Sequence, residues 1–229
     1  MKLFLGGGGD SKDSIELDKK FVDSLDLSKP LLYIPIALDQ IKHPYPECLE
    51  WISSALTPYG AVNIVMWTED DLKNKTKEDF DQFSGIYIGG GNTYKLLSEL
   101  KEFGTLEIIK SLAQDNIPIY GGSAGAIILS RTIIPAGYAD TNEVGITDFN
   151  ALNLVHGYDV WCHYVENDDN SVTEYMTKYD LKKIIAIPEN AGLVVSEEKI
   201  EIVGPGQTVV FKSGKKVYKS DENIEDSSV

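Results

Sequence analysis

Short apolar runs alternate with segments of helical spacing through the first half of the chain, and this alternation limits the possible folds most. The runs lie at residues 2–5, 31–36, 62–67, 85–88 and 117–120, each bounded by glycine, proline or polar residues. Between them, apolar residues recur with the spacing of amphipathic helices at 15–25, 48–56, 94–100 and 106–112. Strands that alternate with helices predict an α/β fold with a largely parallel sheet and helices on both faces.

The last third of the chain has a different pattern. Residues 192–218 contain several short strand-like segments that are joined at glycine and proline. We expect these segments to extend or flank the main sheet as short antiparallel strands. No internal repeat or proline-rich linker divides the sequence, so residues 1–220 are predicted to form a single domain. The acidic and polar residues 221–229 are predicted to form a flexible tail.

Composition narrows the possible partners. The chain has 229 residues, and 21 Lys and Arg against 36 Asp and Glu give a net charge of −15. Such a charge repels nucleic-acid phosphates and anionic membranes, so neither is expected as a partner. No apolar run is long enough for a membrane span or a signal peptide, which predicts a cytoplasmic protein. The sequence leaves open whether the protein is a monomer or a homodimer.

The sequence G-G-S-A-G at residues 121–125 follows a predicted strand and precedes a predicted helix. The pattern G-x-S-x-G in this context is typical of a nucleophile elbow, a sharp turn that raises a serine hydroxyl above the sheet. The small neighbours let the turn close, and the following helix directs free N–H groups at the serine. Ser123 is therefore a candidate nucleophile. The alternative is a glycine-rich turn that only packs or binds an anion.

A serine nucleophile needs a nearby base, and the chain has three histidines. His43 and His156 lie in loop-like segments, whereas His163 follows the apolar residues V-W-C and is the favoured base. A buried histidine with only a packing role is the alternative for His163. Glu189, in a turn after an apolar strand, and Asp140 are both candidates for the carboxylate that orients the imidazole.

Two further glycine-rich junctions, residues 6–9 and 89–91, follow predicted strands. The backbone at 89–91 can approach a ligand closely and could complete an oxyanion hole with the N–H of Ala124. Neither junction fits the phosphate-loop or dinucleotide patterns. Cys162 and His163 are adjacent and point to opposite sides of a strand, which argues against a metal site. No cofactor and no metal are predicted.

Five blocks of the sequence occur in the order in which a known family carries them. They are GGGNTYKLL (89–97), GGSAGA (121–126), ALNLVHGYDVWCHY (151–164), IPENAGL (187–193) and IVGPGQTVVFKSGK (202–215). Together they resemble the dipeptidase E family of serine peptidases, the α-aspartyl dipeptidases related to cyanophycinases. The resemblance implies an α/β fold akin to the class I glutamine amidotransferases. It also implies hydrolysis of dipeptides or short peptides through an acyl-enzyme, with a preference for N-terminal aspartate.

The resemblance also assigns roles to individual residues. Ser123 matches the family's nucleophile, His163 its base and Glu189 its carboxylate, which together form a Ser-His-Glu triad. Gly91 and Ala124 match the donors of the oxyanion hole.

Gly90, Asn92 and Arg131 are candidates for substrate binding. Residues 166–180 contain no arginine, although the family's aspartyl dipeptidases carry one in this region. Acids at this place would repel an N-terminal aspartate by about 1 kcal/mol or more for each close pair of like charges. Lys95 or Arg131, the sole arginine of the chain, could supply the missing cation. The alternative function is a catalytically inactive homologue that binds a peptide or an amino acid.

Overall fold

The structure, a computed structural model, describes residues 1–61, 63–220 and 224. The α-helices are α1 (Ile15–Val22), α2 (Tyr45–Leu56), α3 (Glu69–Leu72), α4 (Thr93–Glu102), α5 (Thr105–Gln114), α6 (Ala124–Leu129) and α7 (Asp169–Tyr179). The strands are β1 (Leu3–Gly6), β2 (Leu31–Ile34), β3 (Ile64–Met66), β4 (Gly85–Ile88), β5 (Ile119–Gly122), β6 (Asp159–Trp161), β7 (Lys183–Ala186), β8 (Gly192–Val195), β9 (Ile200–Val203), β10 (Thr208–Lys212) and β11 (Lys215–Ser220).

The main sheet has seven strands in the order β3-β2-β4-β5-β1-β8-β9. Strands β1 to β5 are parallel to their neighbours within this set, and β8 and β9 add to it in antiparallel orientation. The predicted α/β fold is confirmed, and each of the five predicted apolar runs overlaps one of the parallel strands, although β1 and β5 extend one and two residues beyond their runs. Val62, at the start of the third run, lies outside the described residues.

Alternate residues of the parallel strands face opposite sides of the main sheet, and each side is covered by helices. On one side Leu3, Leu5 and Ile88 pack in a cluster with the apolar residues of α4, α5 and α6. On the other side Phe4 and Tyr87 pack with the apolar residues of α1 and α2. Burial on both faces explains why these strands are continuous apolar runs rather than alternating ones.

The other C-terminal strands form a second, four-stranded sheet in the order β11-β10-β7-β6. Strands β6 and β7 are parallel, while β10 pairs in antiparallel orientation with both β7 and β11. Helix α7 packs on this sheet through Val172 and Met176, which share a buried cluster with Trp161 and Phe211. The expected extra antiparallel strands are therefore present, and they are divided between the two sheets.

The described part of the chain contains no helix long and apolar enough to cross a membrane. The predicted tail, residues 221–229, lies outside the described residues except for Ile224, which forms an isolated bridge with Ile200.

Candidate active site

Ser123 lies at the sharp turn between β5 and α6, at the carboxyl end of the parallel strands. Its backbone has φ 48° and ψ −106°, a conformation that side-chain-bearing residues rarely adopt. A Cβ on Gly121 would lie 2.4 Å from the carbonyl carbon of Gly125, and a Cβ on Gly125 would lie 2.3 Å from the Ile88 carbonyl oxygen. The turn therefore closes only because these two positions are glycine.

His163 follows β6 of the second sheet and is held beside Ser123 by its own backbone. The His163 N–H donates to the Gly7 carbonyl at 2.8 Å, and φ of His163 is 54°. The imidazole Nε2 lies 2.8 Å from the Ser123 Oγ, and Nδ1 lies 2.8 Å from Glu189 Oε1. With a proton on Nδ1 donated to the carboxylate, Nε2 is free to accept the serine proton.

Glu189 lies in the turn between β7 and β8, which links the second sheet to the main sheet. The Ala191 N–H donates to the Pro188 carbonyl at 3.1 Å, and this bond closes the turn. The side chains of His163 and Glu189 are 44% and 57% exposed, so the site opens to solvent. Because an exposed ion pair stabilises a fold little, the contact is better suited to orienting the imidazole than to stability.

The glycine-rich junction after β1 lies against both His163 and the Glu189 turn. A Cβ on Gly8, whose φ is +108°, would lie 2.2 Å from Cε1 of the imidazole. A Cβ on Gly7 would lie 2.0 Å from the Pro188 carbonyl oxygen. The sequence marked residues 6–9 as a junction at the sheet edge, but it gave no sign that the base and the carboxylate pack on it.

The junction after β4 approaches Ser123 from the other side. A Cβ on Gly90 would lie 3.3 Å from the Ser123 Cβ. Gly91 has φ +132° and lies directly against the Ala37 carbonyl. Among the described residues, the N–H groups of Gly91 and Ala124 have no hydrogen-bond acceptor. Ala124 follows Ser123 directly and Gly91 follows Gly90, so both N–H groups belong to the two turns that meet at the serine, and an oxyanion hole requires donors of this kind.

Asn92 and Asp140 both bind the start of α4. The Asn92 Oδ1 accepts from the Lys95 N–H at 2.9 Å, and its Nδ2 donates to the Thr141 carbonyl at 2.9 Å. The Thr93 N–H donates to Asp140 Oδ2 at 2.8 Å. Both side chains cap the helix. Of the two carboxylates considered as partners of the imidazole, Glu189 is the one that contacts Nδ1.

Arg131 is not brought to this site. Its Nη2 lies 2.7 Å from Asp159 Oδ2, and the Asp159 side chain is fully buried. The same carboxylate accepts from the Thr132 N–H at 2.9 Å. The guanidinium neutralises a buried charge, whose loss would be costly, and it does not line the cavities beside Ser123. The expectation that Arg131 binds substrate is not supported by this placement.

Lys95 is also engaged elsewhere. Its Nζ donates to the Ile36 carbonyl at 2.5 Å and to Glu69 Oε1 at 3.1 Å. It therefore fixes the segment after β2 and leaves no cation of α4 directed at Ser123.

Two cavities open on either side of Ser123. The first, which we call the α2 cavity, has a volume of about 450 Å³ and is lined by Tyr33, Tyr87, Gly90, Glu47, Trp51 and His43, among others. The second, which we call the Tyr138 cavity, has a volume of about 350 Å³ and is lined by Gly91, Thr93, Tyr138, Asp140, Trp161 and His163, among others. Together they leave room for a small molecule on both sides of the serine hydroxyl.

Cys162 is next to His163 in sequence but does not compete with Ser123 as nucleophile. It is buried, its Sγ contacts the Ser123 carbonyl at 3.6 Å, and burial raises the pKa of its thiol to about 12. A thiol with this pKa carries almost no thiolate at neutral pH.

Comparison with known proteins defines the class of molecule. Peptidase E of Haemophilus influenzae is 25% identical over 207 residues, which cover 85% of this chain and 83% of that protein. A probable alpha-aspartyl dipeptidase of Drosophila melanogaster is 27% identical, with 81% and 77% of the two chains covered. A putative peptidase E protein from Listeria monocytogenes EGD-e has the same fold, with a TM-score of 0.70, 24% identity, and 90% and 98% of the two chains covered.

A peptidase from an acI-B1 actinobacterium also shares the fold, with a TM-score of 0.73, 19% identity, and 98% and 96% of the two chains covered. The protein is thus a hydrolase of the serine-peptidase class. Because the model of peptidase family S51 matches residues 3–203, the chain belongs to that family. This confirms the resemblance found in the five sequence blocks.

Proposed function

We propose that this protein hydrolyses dipeptides or other short peptides, with Ser123 as the nucleophile, His163 as the base and Glu189 as the orienting carboxylate. The observation that carries the proposal is the unbroken series of contacts from the serine hydroxyl through the imidazole to the carboxylate, each 2.8 Å long. The names of the relatives, Peptidase E and probable alpha-aspartyl dipeptidase, support dipeptides as the substrate class.

The first half of the reaction forms an acyl-enzyme. The Ser123 Oγ attacks the peptide carbonyl carbon while Nε2 of His163 takes the hydroxyl proton. The negative charge that develops on the carbonyl oxygen is stabilised by the N–H groups of Gly91 and Ala124. His163 then gives its proton to the leaving amine, and the C–N bond breaks.

The second half releases the acid. A water molecule attacks the acyl carbon, and His163 takes its proton and returns a proton to the Ser123 Oγ. Glu189 remains ionised and stabilises the imidazolium that forms in each half. Gly90, against the Ser123 Cβ, leaves space for the substrate, while Asn92 contributes by fixing the start of α4.

Covalent labelling with a fluorophosphonate tests the nucleophile, and release of amino acids from a dipeptide panel tests the activity. Wild-type protein should react with the probe and hydrolyse dipeptides, and Ser123→Ala should do neither. Ser54→Ala, which removes an exposed hydroxyl from α2, is the matched control and should behave as wild type. Probe reaction that persists in Ser123→Ala, or wild-type protein that neither reacts nor hydrolyses any peptide, would overturn the proposal.

A further inference from the structure

We propose that the α2 cavity binds a lysine or arginine side chain of the substrate peptide, with Glu47 pairing with its cation. This inference rests on the proposed function, because the cavity opens directly on Ser123. It replaces the aspartate preference suggested by the name of the Drosophila relative with a preference for the opposite charge.

The walls of the α2 cavity suit a long side chain with an apolar stem. Tyr33 and Tyr87 are buried residues of the cavity lining, and their ring centroids are 5.7 Å apart. Trp51, on α2, also lines the cavity and is 44% exposed. The methylene groups of lysine or arginine pack on such rings, and the positive charge is attracted by their faces.

Glu47 supplies the group that would recognise the charge. It precedes Trp51 by four residues, so both side chains lie on the same face of α2 and line the cavity. Glu47 is an exposed residue that lines the cavity, and among the described residues its carboxylate has no salt bridge and no side-chain hydrogen bond. An unpaired carboxylate beside aromatic rings is a fitting partner for a guanidinium or an ammonium group.

The charges around Ser123 oppose an acidic substrate. No lysine or arginine of the described chain lines either the α2 cavity or the Tyr138 cavity. The carboxylates nearby are Glu47 in the α2 cavity, Asp140 in the Tyr138 cavity and Glu189 on the imidazole. An aspartyl side chain would therefore meet like charges on each side, and the basic residues of the two linings are the histidines His43 at the α2 cavity and His163 at the Tyr138 cavity.

The size of the cavity agrees with this assignment. A volume of about 450 Å³ accommodates a side chain as large as that of arginine. An aspartyl side chain would leave most of this volume unfilled.

Turnover of matched dipeptides tests the proposal. Wild-type kcat/KM should be at least about tenfold higher for Lys-Ala or Ala-Lys than for the corresponding Leu and Asp peptides. Glu47→Gln should remove most of this advantage, and its kcat/KM for the Leu peptides should stay within about twofold of the wild-type value. Glu50→Gln removes a carboxylate from an exposed position of the same helix, outside the cavity, and should leave the profile unchanged. Glu47→Lys should invert the order and favour the Asp peptides.

Two results would overturn the assignment. One is a wild-type preference for Asp or Leu over Lys at both positions of the peptide. The other is a fall in kcat/KM that is equal for the Lys and Leu peptides in Glu47→Gln. Glu47 would then contact a group common to all peptides, such as the α-ammonium.

Binding separates failure of this inference from failure of the proposed function. Calorimetric titration of Ser123→Ala with the same peptides needs no turnover. Tighter binding of the Lys peptides that is lost in Ser123→Ala/Glu47→Gln would support the cavity assignment even if the wild-type protein hydrolysed nothing. Hydrolysis of dipeptides without any Lys preference in turnover or binding would leave the proposed function intact and refute the cavity assignment.

Discussion

The two sheets contribute different parts of the candidate site, and they fix those parts in different ways. The main sheet provides Ser123, whose position is set by five consecutive residues, 121–125, that run from the end of β5 into the start of α6. His163 follows β6 of the second sheet, and Glu189 lies in the connection from the second sheet back to the main one. The nucleophile is thus a local feature of the chain, whereas the base and the carboxylate reach it only when the two sheets dock.

The docking is made by backbone hydrogen bonds around the junction after β1. The Gly7 N–H donates to the Ala191 carbonyl at 3.1 Å, and the Gly7 carbonyl accepts from the His163 N–H at 2.8 Å. The Tyr164 N–H donates to the Ile187 carbonyl at 3.1 Å. Gly7, which directly follows β1, is therefore hydrogen-bonded to both segments that bring the imidazole and the carboxylate together.

The largest expected effect comes from removing the base while keeping its backbone. In His163→Asn, kcat for a dipeptide should fall by about 10⁴-fold, because the serine proton has no acceptor. Asparagine tolerates the positive φ of 54° at this position, so the fold should persist. The measurement is the kcat of the purified variant, with circular dichroism to check folding.

His156→Asn is the matched control for this variant, since His156 has φ 48° and its Nε2 contacts the Ser196 carbonyl away from Ser123. It should keep wild-type kcat. A normal kcat in His163→Asn would mean that the second sheet does not supply the catalytic base, and the two sheets would then not contribute different parts of the site.

The next effect tests the glycine-rich junction after β1, where the two sheets dock. In Gly8→Ala the new Cβ would lie 2.2 Å from the imidazole, so the ring must move off the Ser123 Oγ and kcat should fall by about 10²-fold. Gly157→Ala carries the same kind of strain, at φ +76°, with nothing within 4 Å of the added Cβ. Both variants should lose about 1 kcal/mol of unfolding free energy, measured by urea denaturation, and only Gly8→Ala should lose activity. Equal activity in the two would show that the junction does not position His163.

The same contrast explains what could be predicted from the sequence. The parallel strands and the helices that cover them follow local periodicity, and the elbow is five residues with a distinctive pattern, so both were predictable. His163 could be chosen because the chain has three histidines. The choice between Glu189 and Asp140 stayed open, because neither has a local signal that says which one meets the imidazole.

The remaining features depend on contacts between distant residues. The second sheet brings β6 and β7 together across α7, and no short motif marks that pairing. The packing of Gly7 and Gly8 on the site joins residues more than 150 positions apart. Arg131 was expected to bind substrate because it is a lone arginine near the elbow, but its buried partner, Asp159, comes 28 residues later.

A third test concerns the stability of the main sheet alone. Asp18 on α1 is buried, accepts from the Ser14 Oγ at 2.7 Å, and accepts from the Tyr120 hydroxyl of β5. Burial raises the pKa of Asp18 to about 6, from about 3.9 in an unfolded chain. The folded state therefore holds this proton more tightly. The resulting stability is complete below about pH 3.9 and is lost as the pH rises through about 6.

The loss is about 3 kcal/mol, from about two pH units at about 1.4 kcal/mol each. Urea denaturation of wild type and Asp18→Asn between pH 4 and 7.5 measures it. The stability of wild type relative to Asp18→Asn should decline across this range by up to that amount. Asp23→Asn changes an exposed aspartate at the end of the same helix, and its free energy of unfolding should vary with pH as that of wild type does. Parallel curves for wild type and Asp18→Asn would mean that the buried carboxyl does not titrate in this range.

The smallest expected effect concerns Lys95, which we expect to position the glycine-rich junction after β4, residues 89–91, through the segment that follows β2. Its Nζ donates to the Ile36 carbonyl, while the Ala37 carbonyl accepts from the Asn92 N–H at 2.8 Å and lies against Gly91. In Lys95→Met this segment should loosen, so kcat should fall by about tenfold with little change in KM, because the oxyanion donors act mainly in the transition state.

The rate of fluorophosphonate labelling should fall in parallel with kcat, and Lys95→Arg should restore part of both. Lys101→Met removes an exposed ion pair with Asp148 from the same helix and should leave them unchanged. A raised KM with normal kcat in Lys95→Met would place Lys95 in substrate binding instead. The main-sheet side of the site would then bind substrate through the Lys95 side chain as well as stabilise the oxyanion through backbone N–H groups. The division of roles between the two sheets would change accordingly.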